Sequence, residues 1–318
     1  MIDYVPIKYA DDTIVRYYEN IQSPLFIGID STKIDNNTRK LIDTVKPSGI
    51  IILSKNVKNE SQLSSLISSI KDYGKNRGIN IKFAIDEEIG SISRIEGYNR
   101  EFKESNRNSK DIEKQAIYLK NLGIDINLSP VADIGYDNQS PIYFRTYGNT
   151  SKEVSKQITN HIEIQQRQGI SNTVKHYPGL GRSSEDTHNK LATVTITKQE
   201  WLQNDAQPFI SAIKSNVEYI MTGHVTYPLI DKSIATYSKE WNKILRKDLN
   251  YNKNIIADDL KMEGANINDT ICSKSNNSYA KRIYTSNKIN NYSIIILNQN
   301  EMINTYREWI RIEMECLK

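Results

Sequence analysis

Two segments of this 318-residue sequence carry residue types whose spacing suits acid–base and nucleophilic chemistry. The first, KHYPGLGRSSEDTH at 175–188, opens with Lys175 and His176, turns at Pro178 and Gly179, and sets Asp186 two residues before His188. A loop turn can place that carboxylate against one imidazole nitrogen and leave the other for a substrate, giving an acid or base that works near neutral pH. An exposed histidine beside an aspartate by chance is the competing reading. The second segment, IIADDLKMEGA at 255–265, ends an apolar run with Asp258 and Asp259. Alternation along a strand sends these two carboxylates to opposite sides. One can then serve as nucleophile while backbone amides hold the other, and an N-capping pair is the alternative.

Such groups need a rigid frame, and the chain supplies a repeating one. Short apolar, β-branched runs lie at 24–30, 48–54, 82–88, 126–133, 172–178, 219–227, 254–260 and 292–298. Between them, SQLSSLISSIKDYGKNRG, SKDIEKQAIYLKNLG and SKEVSKQITNHIEIQQRQG place apolar residues three or four apart and end at or near glycine. Near-continuous apolar strands joined by helices imply a parallel sheet covered on its outer face. Periodicity alone also admits an open doubly wound sheet. The polar residues favour a closed (β/α)₈ barrel of the TIM type: Asp30, Asp86, Asp133, Lys175 with His176, His224, and Asp258 with Asp259 all fall at or just after strand C-terminal ends. That is the face on which barrel enzymes assemble their sites. Residues 1–22 read as an N-terminal extension and 23–318 as a single catalytic barrel with no second domain. His161 falls on an outer helix.

Composition narrows the function classes. Hydrophobic residues make up 38% and charged residues 25%, enough for a large core. The 42 basic and 38 acidic residues are dispersed, without the basic block that tracks phosphates, so no nucleic-acid partner is expected. No apolar stretch approaches the ~20 residues of a membrane span, and the first residues lack a secretory apolar core. A cytoplasmic enzyme is expected, with Cys272 and Cys316 as reduced thiols, since their spacing makes neither a metal site nor a disulfide framework.

The two chemistry-bearing segments carry a specific resemblance. KHYPGLGRSSEDTH resembles the KH(F)PGHG…DSH signature, and ADDLKMEGA the SDDLSMEGA signature, of the NagZ-type β-N-acetylglucosaminidases of glycoside hydrolase family 3. AIDEEIGSISR is similar to that family's VDQEGGRVQR, SPVADIG to SPVLDVG, IYFRTYG to IGxRSF, and MTGHVTYP to MPAHVIYP, in order from about residue 24 to 300. The resemblance implies a barrel without the second domain of the larger family 3 β-glucosidases. It implies a retaining exo-glycosidase, free of metal and cofactor, that removes terminal β-linked N-acetylglucosamine through a covalent intermediate on Asp258. His188 would be the acid/base, activated by Asp186, and Asp86, Arg94, Arg145, Lys175 and His176 would bind the sugar. His224 would support the site from behind. The partner implied is a small carbohydrate, by resemblance a muropeptide-derived sugar in peptidoglycan recycling.

The chain departs from the family pattern at Ile89, Ser91, Leu180 and Arg182, and INNY stands before the last strand where the family has AGxD. Phosphorolysis is a second enzymatic reading, because a histidine acid/base does not repel phosphate as a carboxylate would. A catalytically silent sugar-binding barrel is the reading from another class. Pro178, Gly179 and Gly181 suggest a hinge that carries His188 toward and away from Asp258, with Leu180 packing against apolar surface.

Overall fold

The computed structural model describes residues 21–95, 107–267 and 272–316. Eight parallel strands close into a barrel: β1 (Ser23–Gly28), β2 (Pro47–Ile52), β3 (Lys82–Ile85), β4 (Ile126–Asn127), β5 (Ser171–Tyr177), β6 (Tyr219–Thr222), β7 (Asn254–Ala257) and β8 (Tyr292–Ile295). Each strand pairs with the next in sequence and β8 pairs back onto β1. The extension expected at 1–22 lies almost wholly outside the described residues.

Helices cover the outside: α1 (Asn36–Val45), α2 (Glu60–Lys75), α3 (Ser109–Leu122), α4 (Ser151–Arg167), α5 (Lys198–Gln203), α6 (Ala206–Lys214), α7 (Lys239–Lys243), α8 (Ser278–Asn287) and α9 (Gln299–Cys316). Their starts are written in the sequence. Asp35, Asn59, Asn108 and Thr150 each accept a backbone N–H of the first turn of α1, α2, α3 and α4, satisfying a donor that the helix leaves open.

Strand alternation sorts the apolar runs into two cores. Leu25, Ile27, Ile50, Ile52, Phe83, Ile85 and Ile295 face the helices, whereas Phe26, Ile51, Ala84, Ile256 and Ile294 fill the barrel interior with Met221 and Leu128. Phe26 lies across β2, where a Cβ on Gly49 would collide with its ring. The same period carries past the strand ends: two residues on from Ala84 is Asp86, and two on from Ile256 is Asp258. The barrel therefore turns these two carboxylates toward its axis, above a plug of apolar side chains.

Cys272 and Cys316 are not reduced thiols, contrary to the expectation from their spacing; they form a disulfide. The chain after β7 returns against the end of α9, bringing the two Cα atoms to 5.3 Å, within bridging range. Ser273 also donates to Glu315 there. The 44-residue separation hides this proximity from a reading of the sequence. Closing a loop of that length stabilises by up to about 4 kcal/mol on the chain-entropy account. Reduction, or Cys316→Ser, is therefore expected to lower the thermal midpoint by several degrees; a midpoint insensitive to reductant would mean that the bridge carries no stability.

Candidate active site

The C-terminal mouth of the barrel holds a cavity of about 320 Å³, lined by Asp86, Arg94, Arg145, Lys175, His176, Asp186, His188 and Asp258. Every catalytic and sugar-binding residue implied by the resemblance thus reaches one space, while Asp30, Asp133 and His224 do not line it. Its lower wall is the barrel plug, with Ile51, Leu128, Met221 and Ile294.

One side of the cavity is a buried ion cluster. Asp86 Oδ1 stands 2.5 Å from Lys175 Nζ, and Asp86 Oδ2 accepts Arg94 Nη2 at 3.1 Å. Lys175 also reaches Glu88 Oε1 at 2.7 Å, and each of these two side chains is only 3% exposed. Arg145 forks onto the same carboxylate, Nη2 to Oε1 at 2.6 Å and Nε to Oε2 at 3.0 Å, while Ser91 donates to Oε2 at 2.8 Å. Burial pushes the Glu88 carboxyl up, but Lys175 and Arg145 outweigh it and hold the group far below the usual range. Burial likewise disfavours the Lys175 ammonium, and Asp86 and Glu88 more than restore it. Glu88, Lys175 and Arg145 therefore stay charged at neutral pH, and the cluster presents a fixed set of directed donors and acceptors. Sequence reasoning passed over Glu88, whose signal was its place two residues beyond Asp86 at a strand end.

Two histidines are each oriented by an aspartate. His176 Nδ1 lies 2.7 Å from Asp133 Oδ2, and the other Asp133 oxygen accepts Leu180 N at 2.6 Å. His188 Nδ1 lies 2.8 Å from Asp186 Oδ1, which also accepts the His188 backbone N–H at 3.0 Å. In both, a carboxylate on Nδ1 fixes the ring and leaves Nε2 free. The environments differ: His176 is buried, whereas the His188 side chain is 63% exposed at the rim. Asp133 was visible in the sequence as one of the strand-end polar residues, with no role attached.

The adjacent aspartates divide as strand alternation requires. Burial raises the Asp258 carboxyl, but His176, His224 and the Asp259 backbone N–H outweigh it, so the group sits below the usual range and stays ionised. That N–H donates to Asp258 Oδ1 at 2.8 Å. Asp259 accepts Lys261 N at 3.0 Å and Ile296 N at 3.1 Å, so it secures the turn, and burial pushes it up to about 6. His224 is fully buried against Thr236 and the Asp259 carbonyl, and burial lowers its pKa. His161, on α4, packs its Nδ1 2.9 Å from Tyr147 Oη and is pushed down to about 3 by burial, away from the cavity.

A model of the "Glycosyl hydrolase family 3 N terminal domain" matches residues 16–280. The chain belongs to glycoside hydrolase family 3. It is 30% identical to a β-hexosaminidase of Idiomarina loihiensis over 258 residues, 76% of each chain. A β-hexosaminidase of Haemophilus influenzae is 29% identical over 260 residues, covering 77% of this chain and 73% of that one. Among solved structures, NagZ from Neisseria gonorrhoeae in complex with N-trifluoroacetyl-D-glucosamine matches at a TM-score of 0.76 and 22% identity, covering 92% of this chain and 90% of that one. A family 3 β-N-acetylglucosaminidase from Paenibacillus matches at 0.80 and 23%; this chain covers 60% of its length, with 94% of this chain aligned.

The departures from the family 3 pattern have visible consequences. Ile89 is buried with Ile112 and Ile164, and Ser91 turns back to Glu88. Leu180 packs into the core beside Tyr177 and Trp201, as the sequence suggests. Arg182 pairs with Asp205 at 2.9 Å and lies 4.0 Å over the Tyr136 ring. The segment expected to act as a hinge makes several contacts with the barrel. Pro178 O accepts Trp201 Nε1, Gly179 O accepts Tyr227 Oη, and a Cβ on Gly181 would collide with Ile134 O. Beyond it, Thr187 O and His188 O accept Gly264 N and Glu263 N from the turn after Asp258. The loop that carries His188 is held at its start by the Leu180 and Arg182 contacts, which glycine spacing does not reveal, and at its end by the turn after Asp258.

Proposed function

We propose that this family 3 hydrolase is a retaining exo-glycosidase that removes terminal β-linked N-acetylglucosamine or a closely related N-acetylhexosamine. The observation that supports this most is a buried, ionised Asp258 at the end of a cavity whose rim carries His188 with Asp186 on Nδ1. Asp258 attacks the anomeric carbon while His188, protonated on Nε2, gives that proton to the departing oxygen. The neutral ring then takes a proton from the water that displaces Asp258, and the configuration is retained. Asp86, Arg94, Arg145, Lys175 and His176 supply the directed contacts for the sugar hydroxyls and acetamido group. The cavity volume is at the low end of the ~300–1,000 Å³ of ligand pockets, which suits one terminal sugar better than an internal stretch of polymer. The relatives' names, β-hexosaminidase and β-N-acetylglucosaminidase, favour the same sugar.

An aryl β-N-acetylglucosaminide assay tests the reading: turnover supports it, and binding without turnover would leave a silent sugar-binding barrel. Repeating the assay with inorganic phosphate separates the two group transfers, since phosphorolysis yields a sugar 1-phosphate and hydrolysis the free sugar. His188→Ala is expected to slow unactivated disaccharides by a further ~10²-fold relative to nitrophenyl glycosides, because a good leaving group needs little protonation. Equal losses on both would assign His188 a binding role.

By the same resemblance we place the substrate among muropeptide-derived sugars and the domain at 23–318, with 1–22 outside it. No helix among the described residues is long and apolar enough to cross a membrane. A cytoplasmic location would keep Cys272 and Cys316 reduced, whereas their pairing suits an oxidising compartment. Thiol trapping in intact cells decides between the two.

A further inference from the structure

The Glu88–Arg145 fork joins two loops that leave different strands of the barrel, and a third group sets the distance between them. Arg107, just before α3, donates from Nε to Ile89 O at 2.8 Å, from Nη2 to Phe144 O at 3.0 Å, and from Nη1 to Thr146 O. Ile89 directly follows Glu88, while Phe144 and Thr146 flank Arg145 on either side. One planar cation therefore holds the backbone of both members of the fork. Its guanidinium also stacks 4.7 Å from the Tyr147 ring centroid, and Tyr147 Oη in turn meets His161 Nδ1 at 2.9 Å. Arg107 sits at φ 54, a left-handed conformation uncommon for a residue with a Cβ.

We propose that Arg107 is a positioning residue for sugar binding: by bridging the Ile89 and Phe144–Thr146 carbonyls it sets the spacing of Glu88 and Arg145, and through Glu88 the position of Lys175. It does not line the cavity, so it acts through those groups and not on the substrate. The physical requirement is specific. Carbonyls in separate segments need donors in a fixed fork, which a guanidinium provides and a lysine ammonium, a point charge on a flexible stem, does not. The kinetic consequence rests on the glycosidase reading above; the geometric claim does not.

The experiment compares Arg107→Lys and Arg107→Ala with the wild-type chain, at a temperature where circular dichroism shows all three folded. Amide hydrogen exchange in sugar-free protein is expected to accelerate about tenfold or more in peptides covering 86–92 and 143–148, with barrel strand peptides unchanged. On an aryl β-N-acetylglucosaminide, KM should rise about 10-fold or more, with kcat falling less, as for a loss of binding shared by ground and transition states. Millimolar guanidinium should restore part of the loss in Arg107→Ala and none in the wild type. Unchanged exchange in both segments overturns the proposal, and so does acceleration spread evenly over the whole barrel, which marks a general fold contact. If Arg107→Ala fails to fold, Arg107→Lys alone decides by the same exchange criterion. A wild-type chain that turns over no aryl glycoside would sink the glycosidase reading, while the exchange data would still judge the clamp.

Discussion

Asp258→Ala is expected to reduce kcat on an aryl β-N-acetylglucosaminide by about 10⁴-fold or more, the scale seen when a covalent nucleophile is removed. Stability should change little. The carboxylate makes one short hydrogen bond, to the Asp259 N–H, and its ionisation is maintained against burial by His176 and His224. Removing it relieves a buried charge at the cost of one contact. The chemistry offers a sharper test than the rate alone. Azide can enter from the face that Asp258 vacates, displace the aryl oxygen and leave an α-glycosyl azide, inverted relative to the β-substrate. A β-azide, or no rescue at all on an activated substrate, would count against a nucleophile in this position. In the wild type, a 2-fluoro or 5-fluoro glycosyl inhibitor should label Asp258; a label on Asp259 would exchange the roles of the pair. The structure makes that exchange unfavourable, because Asp259 is already engaged by the Lys261 and Ile296 amides.

Why Asp258 was legible and its supports were not is a matter of range. The period-two pattern that makes Ile256 an interior residue continues without interruption to Asp258, so the direction of that side chain is a local matter, while it is the family resemblance that singles out the first aspartate of the pair. The same holds for Asp86 beyond Ala84, while the eight apolar runs imply a parallel sheet and the polar residues at the strand ends favour its closure into a barrel. The Asp186–His188 pair is local as well, two residues apart in one turn. Glu88, Asp133 and Arg107 do their work across long separations: 57 residues from Glu88 to Arg145, 43 from Asp133 to His176, and 39 from Arg107 to Thr146. No periodicity reports a contact of that kind. The Cys272–Cys316 bridge and the Arg182–Asp205 pair failed to show for the same reason, and at Pro178, Gly179 and Gly181 the sequence suggests a hinge without revealing the contacts around it, because glycine permits either motion or close packing. Here it is packing that the Ile134 carbonyl enforces at Gly181.

Glu88 should prove as costly to lose as any residue in the chain, in stability and activity together. It is the carboxylate shared by Lys175 and Arg145, and removing one member of a buried charge pair typically destabilises by about 3–5 kcal/mol because the other is left uncompensated. Glu88→Ala leaves Lys175 with Asp86, but it takes both carboxylate contacts from Arg145. Glu88→Gln keeps an oxygen for Arg145 and should lose less. The pH dependence follows from the direction of the shift. Glu88 is held far below the ordinary glutamate range, so its contribution to stability is fully present above that range, fades progressively as the pH falls below it, and is gone once the pH passes the folded-state value. The wild type should therefore lose stability steeply at acid pH, and Glu88→Gln less steeply. A double-mutant cycle with Arg145→Met separates fold from function: an apolar replacement no longer strands a buried cation, so Glu88→Gln should cost markedly less in that background, a coupling of about 2 kcal/mol or more. Activity should not return with the stability, because the sugar would still lack Arg145. Urea melts and aryl glycoside kinetics on the four proteins read both axes. Additive stabilities would show that the Glu88–Arg145 fork is not the strut of the cavity wall, and a double variant that regains turnover would show that it is not part of the sugar's binding surface.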